Sequence, residues 1–491
     1  MFSAVIQSQG CKLNQVEGEA LAGAFRKAGF SLGIKNPQII IINTCTVTSK
    51  SDQKARRIIR KALRNNPGSC VLVTGCYAQL EAQEIKALEE PLEGPGGRLF
   101  VVKGEEKDSL LDLPRILAGA QSPQQLCALV KSWSEGGVVD CFAKGSYPAL
   151  QGEKKGMNPE TNTLPKQHTP SLQDGVVDKT EREDGAFHFT PEYFSFHTRG
   201  FLKIQDGCNR HCTYCRARLA RGNSRSLDKN KALEELQQLE MKGYAEVVLA
   251  GLNITEYEGG LGGLLEFLLE GTQKINIRLS SLEPDRISGK LAGIICQKRI
   301  QPHFHLAVQS GSEKILKKMG RFYNPQAVEQ AAALFRAAKG DPFLACDIIA
   351  GFPGETESDF EKTMILCQKI DFAWIHVFPY SKRQGTEAFN FPEAVPEKET
   401  AKRVEILQDL AWKGRQRYIN RWLGREVTVL VEKSSGEKSF CRAVSDNYLK
   451  LLVRYKSSKA PPTGSVLRCR LTPDQEVDCK NAGYDAVAEE I

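Results

Sequence analysis

The stretch DGCNRHCTYC (206–215) places Cys208, Cys212 and Cys215 within eight residues, and no fourth cysteine follows for the next eighty. Structural zinc sites and fully protein-held iron–sulfur cubes take four protein ligands. Three thiolates on a cube of four irons leave one iron open, and a small molecule carrying an amino and a carboxylate group can chelate it. That arrangement suits S-adenosylmethionine held against a one-electron donor, whose electron breaks a carbon–sulfur bond and leaves a carbon radical. The alternatives are a zinc site completed by His211 and a redox dithiol. His211 adjoins Cys212 and is poorly placed to close the same ring of ligands, and the spacing is not that of paired Cys-x-x-Cys knuckles.

A second set of three cysteines is dispersed. FSAVIQSQGC leads to Cys11, QIIIINTC to Cys45 and CVLVTGC to Cys76, each an apolar, β-prone run, with helix-patterned stretches at 15–29 and 51–65 between them. The separations of 34 and 31 residues each match about one βαβ unit. The three thiols therefore fall just past the carboxyl ends of successive strands. In a parallel α/β sheet those ends open onto one edge, where such sheets bind ligands. The bland alternative is three buried small hydrophobes, a common fate of cysteine. Cys70 reads as a core residue.

What must position these residues is a large chain. Its 491 residues call for two to four domains. The 15 cysteines are odd in number and mostly stand singly at the ends of apolar runs, which favours metal ligation or catalysis in a reducing compartment over disulfides. The first residues lack the cationic start and apolar run of a signal peptide, and no later run approaches the length of a membrane span, so a soluble cytoplasmic protein is expected. The net charge of +8 is moderate. Between Leu423 and Lys459, with Arg468 and Arg470, ten Lys/Arg face four Asp/Glu.

Residues 1–120 read as the first domain. Across 121–193 the pattern dissolves, and 151–185 has no aromatic residue and many Pro, Gly and charged positions, too little to offset chain entropy; a linker or largely disordered insertion is expected. From 194 to 424, GFLKIQDG, AEVVLAGLN, NIRLSSLEP, HFHLAVQSG, FLACDIIAGFPG and WIHVFPYS alternate with helical patterns. Six such units argue for a partial (β/α)6 barrel, with function at the carboxyl ends of the strands. Those ends carry Asp206, Asn253, Glu283, Gln309 and Tyr380, and a helix over 397–424 closes the region. Residues 425–491 give short alternating strands with Gly, Ser and Pro turns, a small antiparallel β domain. The fold class is thus α/β: a parallel sheet domain, a partial barrel and a small β domain.

Eight blocks occur in order: GCKLNQVE, NTCTVT, VTGCYAQ, IQDGCNRHCTYC, LSSLEP, VQSGSEKILKKMGRFY, DIIAGFPGETESDF and HVFPYSKRQGT. Together they resemble the radical S-adenosylmethionine methylthiotransferase family over nearly the whole chain outside 121–191. The resemblance implies that Cys208, Cys212 and Cys215 hold the radical-generating [4Fe–4S] cluster, and that Cys11, Cys45 and Cys76 hold an auxiliary [4Fe–4S] cluster carrying the sulfur to be delivered. It implies a two-stage reaction: one S-adenosylmethionine methylates sulfur at the auxiliary cluster, and a second is cleaved to a 5′-deoxyadenosyl radical that abstracts hydrogen from an unreactive carbon. It also implies an external one-electron donor such as flavodoxin or ferredoxin, and a C-terminal domain similar to the RNA-binding TRAM module.

For S-adenosylmethionine, the candidates are Gly251, Asn253, Glu283, Gln309 and Asp347 at the barrel's strand ends; each reads equally as an ordinary barrel-end hydrogen-bonding residue. NTCTVT, TGCYAQ and HVFPYSKRQGT resemble the branch acting on threonylcarbamoyladenosine at position 37 of tRNA, in the anticodon loop; other branches act on isopentenyladenosine or on an aspartate of a ribosomal protein. A non-catalytic RNA-binding redox sensor is the reading from another class. Lys382 and Arg383 are available to a threonyl carboxylate. The basic stretch 51–66, with Lys54, Arg56, Arg57, Arg60, Lys61 and Arg64 behind a cap at Ser51, either tracks a nucleic-acid backbone or is a solvated face. In the C-terminal domain, Phe440, Tyr448 and Tyr455 stand among Arg442, Lys450, Arg454 and Lys456, which suits RNA. One departure from the family pattern is RARLARG after Cys215, which puts Arg216, Arg218 and Leu219 where an apolar run, a proline and an aromatic are usual, and suggests an altered substrate-facing rim.

Overall fold

The computed structural model describes residues 2–33, 35–89, 97–136, 185–434, 439–473 and 483–491. The first sheet has β1 (Ser3–Ser8), β2 (Ser31–Leu32), β3 (Ile39–Thr44), β4 (Cys70–Gly75) and β5 (Leu99–Val101), all parallel, in the order β2-β1-β3-β4-β5. Every residue of β3 and β4 is buried, as continuous Ile/Val runs require when both faces are covered. Ile39 and Ile41 join Leu21 and Phe25 of the helix Lys12–Lys27 on one face; Ile40 and Ile42 join Ile59 and Leu63 of the helix Ser49–Asn65 on the other. That second helix begins one turn earlier than expected. Its cap is Thr48, whose hydroxyl accepts the Ser51 amide at 3.2 Å, and not Ser51 itself.

Six parallel strands form the partial barrel: β6 (Gly200–Lys203), then, past a short antiparallel pair β7 (Gln205–Asp206) and β8 (Arg225–Ser226), β9 (Glu246–Ala250), β10 (Asn276–Leu279), β11 (His303–Gln309), β12 (Phe343–Ala350) and β13 (Trp374–Pro379). They pair as β10-β9-β6 and β11-β12-β13, and the parallel bridges Ile277 to Ile300 and Leu282 to Leu306 join the halves. The open side of the barrel is met by the helix Lys12–Lys27, whose Val16 enters the barrel core and whose Glu17 pairs with Lys203 of β6 at 3.5 Å. A helix over Glu397–Trp422 lies against β13.

β14 (Glu426–Ser434), β15 (Phe440–Ser445), β16 (Lys450–Arg454), β17 (Val466–Thr472) and β18 (Ala486–Glu490) close a small barrel in the order β14-β15-β16-β18-β17. Its pairings are antiparallel except β16 with β18, which run parallel. Within the span expected to be irregular, Pro123–Ser134 form a helix that buries Leu126 and Val130, and Phe187 and Phe189 are buried beyond it; 137–184, including most of 151–185, lie outside the described residues. Among the described residues no helix is long and apolar enough to cross a membrane.

Candidate active site

Cys11, Cys45 and Cys76 sit one to three residues past the ends of β1, β3 and β4, which are adjacent in the sheet, so three remote thiols share one edge. Cys11 caps the helix Lys12–Lys27 and Cys76 opens the helix Cys76–Leu80. Tight backbone makes the convergence feasible. Gly10 has φ +87°, and a Cβ there would lie 2.6 Å from Cys45 Sγ; Gly75 has φ +95°, and a Cβ there would lie 2.3 Å from the Thr44 carbonyl oxygen. Burial pushes the Cys45 thiol up to about 12, with Cys11 adding to it, and burial also raises Cys11 against the pull of Arg221.

The polar surroundings of this edge are incompletely paired. Both side-chain amide atoms of Gln9, the Asn43 amide oxygen and the Thr74 hydroxyl are buried without a hydrogen-bond partner. Among the described residues, no three His, Cys, Asp or Glu form a group fit to hold a single metal ion. A cube spreads its irons over separate corners and does not ask its thiolates to meet at one point, so three thiols along one edge suit the donor set of that group.

Cys208, Cys212 and Cys215 lie on the loop closed by β7 and β8. Gly207 at φ +69° is needed there, since a Cβ would fall 1.8 Å from the Asn223 carbonyl oxygen. The Arg210 amide donates to Cys208 Sγ at 3.4 Å and the Ala217 amide to Cys215 Sγ at 3.4 Å. Burial pushes Cys208 up to about 12 and Cys212 up to about 11, the latter against Arg321. Cys215 is exposed.

Gly251, Asn253, Glu283 and Gln309 lie at or just past the carboxyl ends of β9, β10 and β11, whereas Asp347, expected with them, lies inside β12 and not at its end. Gly251 admits Gln205: a Cβ would lie 2.8 Å from Gln205 Oε1, which accepts the Asn253 amide at 2.9 Å. Asn253 takes the Thr255 hydroxyl on Oδ1, while its Nδ2 is buried and unpaired, as is the Ser280 hydroxyl. Gln309 is buried at φ +64°, a backbone conformation that costs a non-glycine residue energy. Glu283 is not free: both oxygens accept Arg321 Nη1 at 2.6 Å, and Arg321 also donates to the Tyr214 hydroxyl at 2.6 Å, between Cys212 and Cys215. Asp347 is held too, its Oδ1 3.1 Å from His305 Nε2.

Sequence reasoning missed Arg221 and assigned Arg216 and Arg383 other roles. Arg221 extends from the helix Ala217–Arg221 and donates from Nε to Cys76 Sγ at 3.3 Å, from Nη2 to Asn14 Oδ1 at 2.7 Å, and from Nη1 to Glu17 at 3.1 Å and Asp206 at 2.9 Å. Burial favours a neutral Asp206, but Arg221 and Lys203 bring its carboxyl down to about 2. Arg216, read as part of a substrate rim, is buried and pairs with Glu81 at 2.6 Å. Arg383, read as available to a carboxylate, is equally committed: Nη2 bonds Thr46 Oγ1 at 2.7 Å and Asp52 at 2.5 Å, because a buried guanidinium requires a counter-charge. All three arginines span the junction of the first sheet and the barrel. The only sequence signal for Arg221 was its place in RARLAR, six residues after Cys215.

Residues 202–367 match the radical SAM superfamily, and residues 3–93 match the uncharacterized protein family UPF0004. A threonylcarbamoyladenosine tRNA methylthiotransferase MtaB of Treponema pallidum is 38% identical over 493 residues, 96% of this chain and 98% of that protein. The chain belongs to the radical S-adenosylmethionine methylthiotransferase family. Family membership brings a [4Fe–4S] cluster and S-adenosylmethionine as cofactors. A protein of the same printed name from Thermotoga maritima is 31% identical over 434 residues, covering 87% of this chain and 86% of that one. A tRNA-2-methylthio-N(6)-dimethylallyladenosine synthase of Carboxydothermus hydrogenoformans is 31% identical over 418 residues, 82% of each.

Proposed function

We propose that this chain transfers a methylthio group to C2 of N6-threonylcarbamoyladenosine at position 37 of tRNA. The observation that carries the reading is the pair of three-cysteine sets, one on the β7–β8 loop and one on the edge of the first sheet, joined by Arg221. The substrate follows the name of the 38% identical relative, which covers nearly all of the chain. In this reading, residues 1–120 carry the auxiliary site, 194–424 the radical site and 425–491 an RNA-holding module.

Cys208, Cys212 and Cys215 would hold one [4Fe–4S] cluster, and Cys11, Cys45 and Cys76 would hold a second, which would supply the sulfur. With S-adenosylmethionine bound, the reduced cluster would supply the hydrogen-abstracting radical chemistry that the adenine C2 requires. The chain's own residues do the rest. Asn253 offers an unpaired amide to the cofactor, beside Gly251, whose missing side chain lets Gln205 approach. Arg321 holds Glu283 against the Cys212–Cys215 loop, and Gln309 stands at the end of β11. Arg221 fixes Cys76 relative to Asp206, two residues before Cys208. A flavodoxin- or ferredoxin-type protein supplies the electron.

Protein reconstituted without oxygen is expected to hold about eight irons, falling to about four in Cys11→Ala. Four irons in the wild type, unchanged by Cys11→Ala, would refute the second cluster. Nucleosides of tRNA from a deletion strain are expected to lose methylthio-threonylcarbamoyladenosine. Loss of methylthio-isopentenyladenosine instead selects the activity named for the Carboxydothermus relative. Loss of neither selects the ribosomal-protein substrate or the redox sensor.

A further inference from the structure

The helix Ser49–Asn65 has two faces of different kinds. Ala55, Ile59 and Leu63 are buried against the sheet. Opposite them, Lys50, Lys54, Arg57, Lys61 and Arg64 recur at intervals of four, three, four and three residues, one continuous stripe about 21 Å long, with Arg60 beside it. All six are exposed, and none has an ion-pair partner among the described residues. The helix has one acid, Asp52, which is buried and spent on Arg383. An ordinary solvated face mixes signs and gains from it, whereas like charges at these spacings repel. The stripe is therefore costly unless something anionic lies along it.

The basic C-terminal barrel differs. Arg468 and Arg470 share Glu426 at 2.6 and 3.0 Å, Arg454 meets Glu489 at 3.6 Å, and Arg442 lies over the Tyr484 ring. Tyr448 is not free for stacking, because it packs on His303 with ring centroids 4.0 Å apart and under Arg278. Lys450, Lys456 and Lys459 of that barrel are exposed and, like the stripe, have no ion-pair partner among the described residues, so what sets the first-sheet helix apart is an unbroken run of like charge along one face. That helix starts four residues after Cys45, where Ser49 bonds Ser381 at the carboxyl end of the partial barrel.

We infer that this stripe is the docking surface for the phosphate backbone of the substrate RNA, leading a stem toward the edge that bears Cys45. The inference rests on the tRNA reading above. The experiment is salt-dependent binding of tRNA from a deletion strain to full-length reconstituted protein carrying Lys54→Gln, Arg57→Gln and Lys61→Gln. Affinity near physiological salt is expected to fall about tenfold or more, and the slope of log K against log salt to shrink by about 2 to 3. Swapping the same positions Lys to Arg and Arg to Lys should keep wild-type binding, and 5′-deoxyadenosine formation without RNA should be unchanged in both variants. Unchanged affinity and slope in the glutamine variant overturn the docking surface, and continued methylthio product in that case leaves the activity standing. Absence of tRNA binding by the wild type overturns both. Unchanged tRNA binding with lost binding to phosphatidylserine vesicles assigns the stripe to a membrane and overturns the inference.

Discussion

The Arg221 side chain is 7% exposed, and its partners come from both halves of the candidate site: Asp206 on β7, and Cys76, Asn14 and Glu17 from the first-sheet domain. Replacing it by Gln keeps some hydrogen bonds and removes one of the cations around Glu17 and Asp206, which retain Lys107 and Lys203, so the loss should stay below the roughly 3–5 kcal/mol of a fully broken buried pair. Arg221→Gln is expected to lower the iron held by the first-sheet cysteines and shift that cluster's midpoint potential, while 5′-deoxyadenosine release persists; Arg221→Lys should recover part of the potential. Identical iron content and potential in Arg221→Gln would reduce the contact with Cys76 to a structural accident. Gly10→Ala should likewise deplete only that set, because its Cβ would collide with Cys45. At this scale the sequence is uneven. The cysteines were legible because ligand spacing and strand ends are local patterns. Arg221 was not, because its bond to Cys76 spans 145 positions and only the folded chain supplies the acids that make a buried guanidinium tolerable.

Elements were legible where apolar runs are long. Parallel strands buried on both faces announce themselves, as QIIIINTC does for β3, and all six barrel strands fall on the runs singled out. The helix cap at Thr48 and the strand β18 were not, since capping is decided by backbone angles and β18 gains its place by pairing with β16 and β17. The helix Lys229–Met241 offers a test in pH. Burial raises its Glu235 carboxyl to about 7, against the hydroxyl of Thr190 that donates to it at 3.0 Å. The folded state therefore holds this proton more tightly than the unfolded chain, where the carboxyl titrates near 4.3. Its contribution is favourable at low pH and is lost as pH rises through about 7. Glu235→Gln should match wild type near pH 4 and exceed it in thermal stability near pH 8; a pH-independent difference in melting temperature would discount the buried carboxyl.

At the scale of the whole molecule, cationic struts hold three sheets together. Arg383, Arg216 and Arg221 tie the first sheet to the barrel; Arg278, bonded to the Asp446 carbonyl at 3.0 Å, and Arg415, bonded to Asp485 at 2.7 Å, tie the C-terminal barrel to it. Pairs of this kind contribute little net energy over apolar packing but make separation expensive, because each half would expose or strand a charge. The two cysteine sets belong to different sheets, so their mutual position depends on these struts more than on either core. Arg383→Ala should leave Asp52 buried and unpaired, cost about 3–5 kcal/mol, and resolve one calorimetric transition into two as the first sheet unfolds ahead of the barrel. Arg383→Met combined with Asp52→Leu removes both charges and should restore most of the loss. If the pair governs only stability, the double variant regains methylthio transfer along with its melting temperature. If it governs alignment of the two cysteine sets, stability returns while transfer stays impaired and 5′-deoxyadenosine forms without product. An Arg383→Ala variant that melts in one wild-type transition would show that the junction is held by packing instead.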